Sequence, residues 1–140
     1  MSANERPYAD VLARLREVKL RPTRQRLSLA RLLFEQGCRH VSAETLHEEA
    51  LRTGVKVSLA TIYNTLHQFT EAGLLREVVV DAGRTYFDTN VDDHHHFFFE
   101  SSGELVDIPL DSISVDGLPS APDGHEVSRV DVVVRVRENS

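Results

Sequence analysis

The segment DDHHHFFFES, residues 92–101, places three consecutive histidines, His94, His95 and His96, between two carboxylates and three phenylalanines. Imidazole nitrogens and carboxylate oxygens are common metal ligands in proteins. Alternate side chains of a β-strand lie on the same face, so His94 and His96 would point one way and His95 the other. We therefore expect the first and third histidines to share one ion and the middle one to have a different role.

Cysteine thiolates contribute little to any such site. The chain has one cysteine, Cys38, which excludes an internal disulfide and a zinc site built from four thiolates of one chain. A bound metal ion would be held by His, Asp and Glu. Cys38 itself is expected to be a small buried thiol or an exposed one without a role.

The distribution of charge indicates a polyanion partner for one half of the chain. The net charge is −6 over 140 residues, but residues 1–90 carry 13 Lys and Arg against 11 Asp and Glu, a net charge of +2. Residues 91–140 carry 3 against 11, a net charge of −8. Residues 19–34 contain no acid and five bases: Lys19, Arg21, Arg24, Arg26 and Arg31. This basic segment favours nucleic acid, although a solvated helix face would have a similar composition.

Four helices are predicted before residue 75 from apolar spacing and capping residues. Apolar residues at helical spacing predict a first helix over residues 7–18, and Pro22 ends that pattern. Thr23, Ser42 and Ser58 are candidate N-caps of the next three. The second is expected to end near Gly37 and the third at Gly54. The expected inward residues of these two helices are Leu27, Ala30, Leu33, Phe34, Ala43, Leu46, Ala50 and Leu51.

The fourth helix and the segment after it predict a winged helix-turn-helix. Its apolar stripe is Leu59, Ile62, Leu66 and Phe69. The opposite face is small, polar and uncharged, centred on Asn64. Two β-rich runs around Asp81, Ala82 and Gly83 then predict a hairpin.

Residues 91–140 have a different character. HHHFFFES and ELVDIP predict strands on either side of a turn at Gly103, residues 114–124 predict a loop, and residues 125–138 alternate like a half-buried strand. So small a module buries too little apolar surface to be stable alone, so we expect it to dimerise. The predicted fold is α+β, with a winged-helix DNA-binding domain over 1–90 and a small α/β dimerisation and sensing domain over 91–140.

Recognition helices enter the major groove by their N-terminal turns, which places Ala60, Thr61, Tyr63 and Asn64 near base edges. An Asn amide pairs with adenine, and apolar groups favour the thymine methyl, so we expect an A·T-rich operator. Tyr63 could instead pack inward, and Asn64 could be merely solvated. The side chains expected to contact phosphates or a narrow minor groove are Lys19, Arg21, Arg24 and Arg26.

Three motifs, HVSAETLHEEA, VSLATIYNTLHQFTEAGLL and FDTNVDDHHHF, resemble in order and spacing the ferric uptake regulator (Fur) family across nearly the whole chain. The resemblance implies a dimeric, metal-responsive repressor. In most of that family an Arg follows the Tyr, whereas here Asn64 does, so operator preference does not transfer. Asn64 and the His triplet are similar to the iron response regulator (Irr) branch, whose members respond to haem.

The resemblance also implies a metal site and its ligands. The positions matching the regulatory site of the family are His40, Asp88, His94, His96 and Asp107. Three imidazoles and two carboxylates suit Fe²⁺ or Mn²⁺, with Zn²⁺ possible. Because His40 precedes the third helix and the others follow the wing, one ion would fix the two halves in a conformation suited to the operator. Unoccupied polar residues on a hinge are the alternative.

The resemblance bears on two other cofactor sites, a structural zinc site and a haem site. A structural zinc site on Cys-x-x-Cys is expected to be absent, because Phe99 and Ser102 occupy those positions. Resemblance to the Irr branch implies haem binding by His94, His95 and His96, with His95 the haem-specific ligand. The Cys-Pro haem motif of some relatives is not matched, since Arg39 follows Cys38.

The sequence predicts a homodimeric, possibly higher-oligomeric, cytoplasmic repressor that binds double-stranded DNA and controls iron homeostasis and haem-related genes. No apolar run approaches the roughly 20 residues of a membrane span, and the first ten residues do not resemble a secretory signal. An enzyme is not expected, since the two modules leave no substrate cavity. A peroxide-sensing Fe/Mn-dependent repressor and a haem-trafficking or metal-buffering module are the remaining alternatives.

Overall fold

The computed structural model describes residues 8–139 and divides the chain into two compact units, the second beginning at Asp92. The predicted boundary, between residues 90 and 91, lies one residue earlier. The architecture is α+β, as predicted: helices and a small sheet in the first unit, a second small sheet in the other. Within residues 8–139, no helix is both long and apolar enough to cross a membrane.

Four helices form the first unit, and their bounds follow from local capping. They are α1 (Ala9–Glu17), α2 (Arg24–Phe34), α3 (Ala43–Arg52) and α4 (Leu59–Glu71). The three predicted N-caps are confirmed: the hydroxyl oxygens of Thr23, Ser42 and Ser58 accept from the backbone N–H three residues on, at 3.2, 3.1 and 3.1 Å. Each cap satisfies a donor that the first turn of a helix leaves without a partner.

The apolar stripe of α4 faces the core as predicted. Ile62, Leu66 and Phe69 are fully buried, Leu59 is partly buried, and Thr65 joins them. On α3, Ala43, Leu46 and Ala50 are buried, but Leu51 is 53 % exposed, so its prediction as a core residue is wrong. The core beside the last turn of α3 is covered by Ala50 and by Val55 from the following loop.

A three-stranded antiparallel sheet completes the first unit. It consists of β1 (His40–Val41), β2 (Arg76–Asp81) and β3 (Arg84–Asp88) in the order β1-β3-β2. The predicted hairpin joins β2 to β3, with the Gly83 N–H donating to the Asp81 carboxylate at 3.1 Å. The pattern did not predict β1, because two residues show no periodicity. Its pairing sets His40 opposite Asp88.

One hydrophobic core serves the first unit, with α1 to α4 and the sheet contributing to it. The prediction for α2 holds for Ala30 and Leu33, while Leu27 and Phe34 are only partly buried and Leu29 is buried instead. The buried members are Val11, Leu15, Leu29, Ala30, Leu33, Val41, Ala43, Leu46, Ala50, Ile62, Leu66, Phe69, Leu75 and Phe87.

The second unit is a three-stranded sheet of β4 (His94–Phe99), β5 (Leu105–Pro109) and β6 (Val133–Val136). The order is β5-β4-β6, with β5 antiparallel and β6 parallel to β4. A single 3-10 turn, Leu110–Ser112, follows β5. The predicted C-terminal strand is shorter than expected, because its pairing runs only from His96 opposite Val133 to Phe99 opposite Val136.

The register sorts the side chains of the second sheet between its two faces. His94, His96 and Phe98 share one face with Asp107, which lies opposite His96. His95, Phe97 and Phe99 lie on the other face with Val106, which is opposite Phe97. The two outer phenylalanines are each 37 % exposed and Val106 is 38 % exposed, whereas Phe98 is fully buried. One face therefore carries the metal-ligand types and the other a half-exposed apolar surface.

Candidate nucleic-acid interface and metal centre

His94, His96 and Asp107 form a compact three-residue cluster in the second unit. The Nε2 atoms of His94 and His96 lie 3.4 and 3.5 Å from the same Asp107 Oδ1, and the two imidazole centroids are 4.5 Å apart. Both imidazoles are buried, whereas the Asp107 side chain is 37 % exposed. Two nitrogens and a carboxylate oxygen thus converge on one point, as the chelation of a divalent ion requires.

The tautomer of His94 suits metal coordination. Its Nδ1 lies within hydrogen-bond distance of the Asp92 carbonyl oxygen. A carbonyl only accepts, so Nδ1 carries the proton and the Nε2 lone pair points to Asp107 and its neighbours. Such a backbone hydrogen bond on the far nitrogen is the usual way in which a protein orients a metal-binding histidine.

His95 is held differently, as the alternation of the strand predicts. The Val132 N–H donates to His95 Nδ1 at 3.1 Å, and the ring is 4 % exposed. Because Nδ1 accepts, the neutral ring carries its proton on Nε2. Coordination of iron through Nε2 in this arrangement would require the proton to move and the hydrogen bond to Val132 to break. A haem-ligand role for His95 therefore depends on a change of tautomer and stays a prediction.

In the first unit, His40 and Asp88 form a pair of candidate ligands. His40 Nε2 lies 3.3 Å from Asp88 Oδ2, and the Asp88 side chain is almost completely buried. The Asn90 N–H donates to the other Asp88 oxygen at 2.9 Å, which orients the carboxylate. The pair exists because β1 aligns with the end of β3.

A polar network that the sequence did not predict holds β1 in place. The Arg39 N–H donates to the Thr89 hydroxyl at 2.9 Å, and the Thr89 N–H donates to the Arg39 carbonyl at 3.0 Å. The Arg39 guanidinium forms a bidentate pair with Glu49 of α3, at 3.0 and 2.6 Å, and reaches the Leu32 carbonyl at 2.9 Å. Arg39, the residue before β1, is thus hydrogen-bonded to Thr89 after β3, to Glu49 of α3 and to Leu32 of α2.

The predicted base-reading face of α4 is exposed at Ala60 and Asn64. Within the described residues 8–139, the Asn64 side chain makes no hydrogen bond of its own, so its amide is available to a ligand. Thr61 is half-buried, and its hydroxyl accepts from Ser58 at 3.0 Å. Its methyl group and its O–H donor are the parts available for contact.

Tyr63 packs partly inward, which is one of the two alternatives considered from sequence, while its contact with bases stays a prediction. Its ring packs partly against the core, while its hydroxyl donates to Glu44 of α3 at 2.8 Å. This hydrogen bond, with smaller contributions from desolvation and charge repulsion, raises the pKa of Tyr63. Glu44 is a residue that sequence reasoning missed, because a capping-turn glutamate gives no indication of a tyrosine 19 positions away.

Basic residues of the predicted phosphate-contacting segment divide into two kinds. Lys19, Arg21 and Arg24 are exposed, and among residues 8–139 none of their side chains forms a hydrogen bond or an ion pair. Lys19 also adopts the left-handed conformation, with φ of +62°, which is costly for a residue other than glycine. Arg26 is engaged: its guanidinium donates to Gln68 of α4 and to the Arg21 carbonyl.

The first unit therefore presents an exposed polar helix face and exposed basic side chains on a winged-helix fold, and the second presents a ligand cluster on a small sheet. The profile of the ferric uptake regulator family matches residues 17–133. The chain belongs to the ferric uptake regulator family, whose members are DNA-binding transcription regulators rather than enzymes.

Named relatives agree with this assignment. The chain is 31 % identical over 100 residues to the ferric uptake regulation protein of Vibrio parahaemolyticus, covering 71 % of this chain and 67 % of that protein. It is 33 % identical over 100 residues to that of Shigella flexneri, covering 71 % and 68 %.

Solved structures show the same fold. The ferric uptake regulator of Pseudomonas aeruginosa, solved with manganese, superposes with a TM-score of 0.67 at 26 % identity, over 92 % of this chain and 98 % of that one. The Vibrio cholerae regulator superposes with a TM-score of 0.71 at 21 % identity, over 91 % and 99 %. The winged helix followed by a dimerisation domain is thus the architecture of this chain.

Proposed function

We propose that this protein is a cytoplasmic, homodimeric transcriptional repressor whose DNA binding depends on a divalent metal ion and which controls iron homeostasis and haem-related genes. The observation that carries the proposal is the convergence of His94 Nε2 and His96 Nε2 on one Asp107 oxygen. Two imidazole nitrogens and a carboxylate oxygen that face one another are the arrangement that chelation of a divalent ion requires.

The proposed metal ligands are His40, Asp88, His94, His96 and Asp107. Support comes from each unit separately: the donor atoms of the first two lie 3.3 Å apart, and those of the other three lie close enough to chelate. A mixed imidazole and carboxylate set suits Fe²⁺ or Mn²⁺, and Zn²⁺ competes for it. The Pseudomonas aeruginosa regulator, which was solved with manganese, has 26 % sequence identity to this chain.

The residues proposed to contact base edges are Thr61, Tyr63 and Asn64. Those proposed to contact phosphates are Lys19, Arg21 and Arg24. The exposed Asn64 amide fits adenine in the major groove, so the operator should be A·T-rich. The left-handed backbone of Lys19 supports a role for its side chain, because glycine would adopt that conformation at lower cost.

The proposed dimer contact is the apolar face that carries Phe97, Phe99 and Val106. Each is more than a third exposed, which is unusual for three adjacent large apolar side chains of a small sheet. Isologous pairing of this face would bury it and would set two DNA-binding units on a palindromic operator. Association beyond the dimer would need a second surface.

The test of the function is operator selection by metal-loaded protein, followed by variants. Asn64→Ala should relax base preference at one position, costing roughly 1–3 kcal/mol of discrimination. Arg24→Ala should weaken binding to all sequences alike and lower the slope of log K against log salt by about 1. Chelator should abolish specific binding by the wild type. Equal losses on all sequences for both variants, or binding indifferent to chelator, would contradict the proposal.

Haem is a second proposed ligand of His94, His95 and His96. The observation in its favour is the apolar wall formed by Phe97 and Phe99 on the face of His95, since haem sites are predominantly apolar. Because the dimer contact is proposed on the same face, haem at His95 and pairing of this face would exclude each other. Binding at His95 first requires the loss of its hydrogen bond to Val132. Titration of haemin into metal-loaded protein should give a Soret band that His95→Ala weakens. A band unchanged in that variant would exclude His95.

The peroxide-sensing alternative has a distinct signature. Peroxide would be the oxidant and a bound Fe²⁺ would direct it to a neighbouring ligand, so mild peroxide should add one oxygen atom to His40 or His94, detectable by mass spectrometry of the digested protein. A repressor that responds to iron or haem should remain unmodified under the same treatment.

A further inference from the structure

Arg26 lies in the basic segment, but its guanidinium is committed to contacts within the protein. Its Nε and NH2 groups both donate to Gln68 Oε1, at 3.2 and 3.0 Å, and its NH1 group donates to the Arg21 carbonyl at 2.8 Å. Three of the donor groups of a planar, rigid side chain are therefore used. Gln68 is 42 residues away, on the exposed face of α4.

These contacts join the turn before α2 to helix α4. The Arg21 carbonyl belongs to the turn before α2, which carries the proposed phosphate contacts, and Gln68 belongs to the helix that carries Asn64. On its inner side α4 is held by apolar contacts such as Phe69 against Phe34, with ring centroids 6.1 Å apart. The buried face of α4 sets its seat in the core, and the forked hydrogen bond from Arg26 adds a directional restraint on the exposed side of the helix.

Small rotations of α4 matter for base reading. With side chains reaching about 5–6 Å from the helix axis, a rotation of about 10° moves their tips by roughly 1 Å. A displacement of that size spoils a bidentate hydrogen bond to a base, because recognition geometry tolerates about 0.5 Å. A residue that fixes the rotation of α4 relative to the phosphate-contacting turn thus controls specificity without touching DNA.

We propose that Arg26 is a positioning residue that joins the phosphate-contacting turn to α4 through Gln68, and that it determines operator specificity rather than phosphate affinity. The proposal rests on the proposed DNA-binding function, and it separates Arg26 from Arg24, two residues earlier, whose side chain is exposed and makes no internal hydrogen bond within residues 8–139. Arg24 is therefore the matched control.

The experiment measures operator and non-specific DNA affinity over a series of salt concentrations for five variants: Arg26→Lys, Arg26→Ala, Gln68→Ala, the double variant Arg26→Ala with Gln68→Ala, and Arg24→Ala. Arg26→Ala should lower operator affinity about tenfold, leave non-specific affinity unchanged and leave the salt slope unchanged. Gln68→Ala should reproduce this loss, and the double variant should add little to it. Arg26→Lys keeps the charge but lacks the fork, so it should not restore specificity.

Two results would overturn the proposal. One is a salt slope lowered by about 1 in Arg26→Ala, as in Arg24→Ala, which would make Arg26 a phosphate contact. The other is full operator affinity in Arg26→Lys or Gln68→Ala. Because Gln68 is an exposed helical residue, its truncation should not impair folding and keeps the test decisive if Arg26→Ala is unstable.

Failure of the DNA-binding function would be recognised separately. In that case the wild type would bind no operator, while a double-mutant cycle between Arg26 and Gln68 on thermal unfolding, without DNA, should still show coupling. No coupling in that cycle, with operator binding intact, would count against the contact itself.

Discussion

The two units bury different kinds of side chain. Among the described residues, the core of the first unit consists of 14 hydrophobic residues, while the buried residues of the second are the hydrophobic Phe98, Leu105 and Ile108 and the three histidines of β4. Apolar burial stabilises a fold without a ligand. Buried imidazoles cost free energy unless hydrogen bonds, a metal ion or a partner compensates. The first unit should thus be intrinsically stable and the second conditionally so.

The largest expected difference between the units is the response to loss of an apolar side chain. Leu66→Ala should lower the free energy of unfolding by roughly 2–5 kcal/mol, because Leu66 is fully buried. Leu118→Ala in the second unit, at a side chain 54 % exposed, should change it by less than about 0.5 kcal/mol. Denaturant unfolding of the full chain measures both. Similar losses would contradict the difference in burial between these two side chains.

Metal binding should stabilise the second unit by an amount that its histidines control. At a free metal concentration 100 times the Kd, the gain in free energy is about 2.7 kcal/mol. His94→Ala combined with His96→Ala should abolish this gain, whereas His95→Ala should preserve it, since His95 lies on the opposite face. Thermal unfolding with and without Mn²⁺ is the measurement. His125→Ala, an exposed histidine of the same unit, is the control.

The apolar face of the second unit should matter for association more than for folding. Phe97→Ser should raise the dimer Kd at least about tenfold, a change of about 1.4 kcal/mol, because it removes a large side chain from the proposed contact. Analytical ultracentrifugation measures the Kd. Val79→Ser, at a valine 58 % exposed in the first unit, is the control and should leave the Kd unchanged. Dissociation by the control instead would place the interface on the wing.

The smallest effect concerns the surface of the first unit. Since the pKa of Tyr63 is raised above the ordinary 10.0, chiefly by its hydrogen bond to Glu44, the fold favours the protonated phenol. That contribution is present below about pH 10 and is lost as the pH rises through the raised pKa. Glu44→Ala should lower the pKa towards its ordinary value. Phenolate absorbance against pH, with Tyr63→Phe to subtract Tyr8 and Tyr86, would show it.

Prediction from sequence succeeded where the determinants are local. The caps at Thr23, Ser42 and Ser58 and the stripe of α4 were read correctly, because a cap acts across three residues and a helix repeats every 3.6. Alternation along β4 likewise separated His95 from its neighbours. The ligand set was not obtained in this way: His40, Asp88 and Asp107 were indicated by family resemblance, and their roles as ligands remain proposals.

The amino-acid sequence by itself determined the order of helices and strands, the basic segment and the chemical types available for metal and DNA binding. Tertiary structure decided which of those groups meet. The pairing of His40 with Asp88, of Arg26 with Gln68 and of Tyr63 with Glu44 spans 48, 42 and 19 positions. Contacts across such separations depend on how packed elements align, and no local periodicity encodes that alignment.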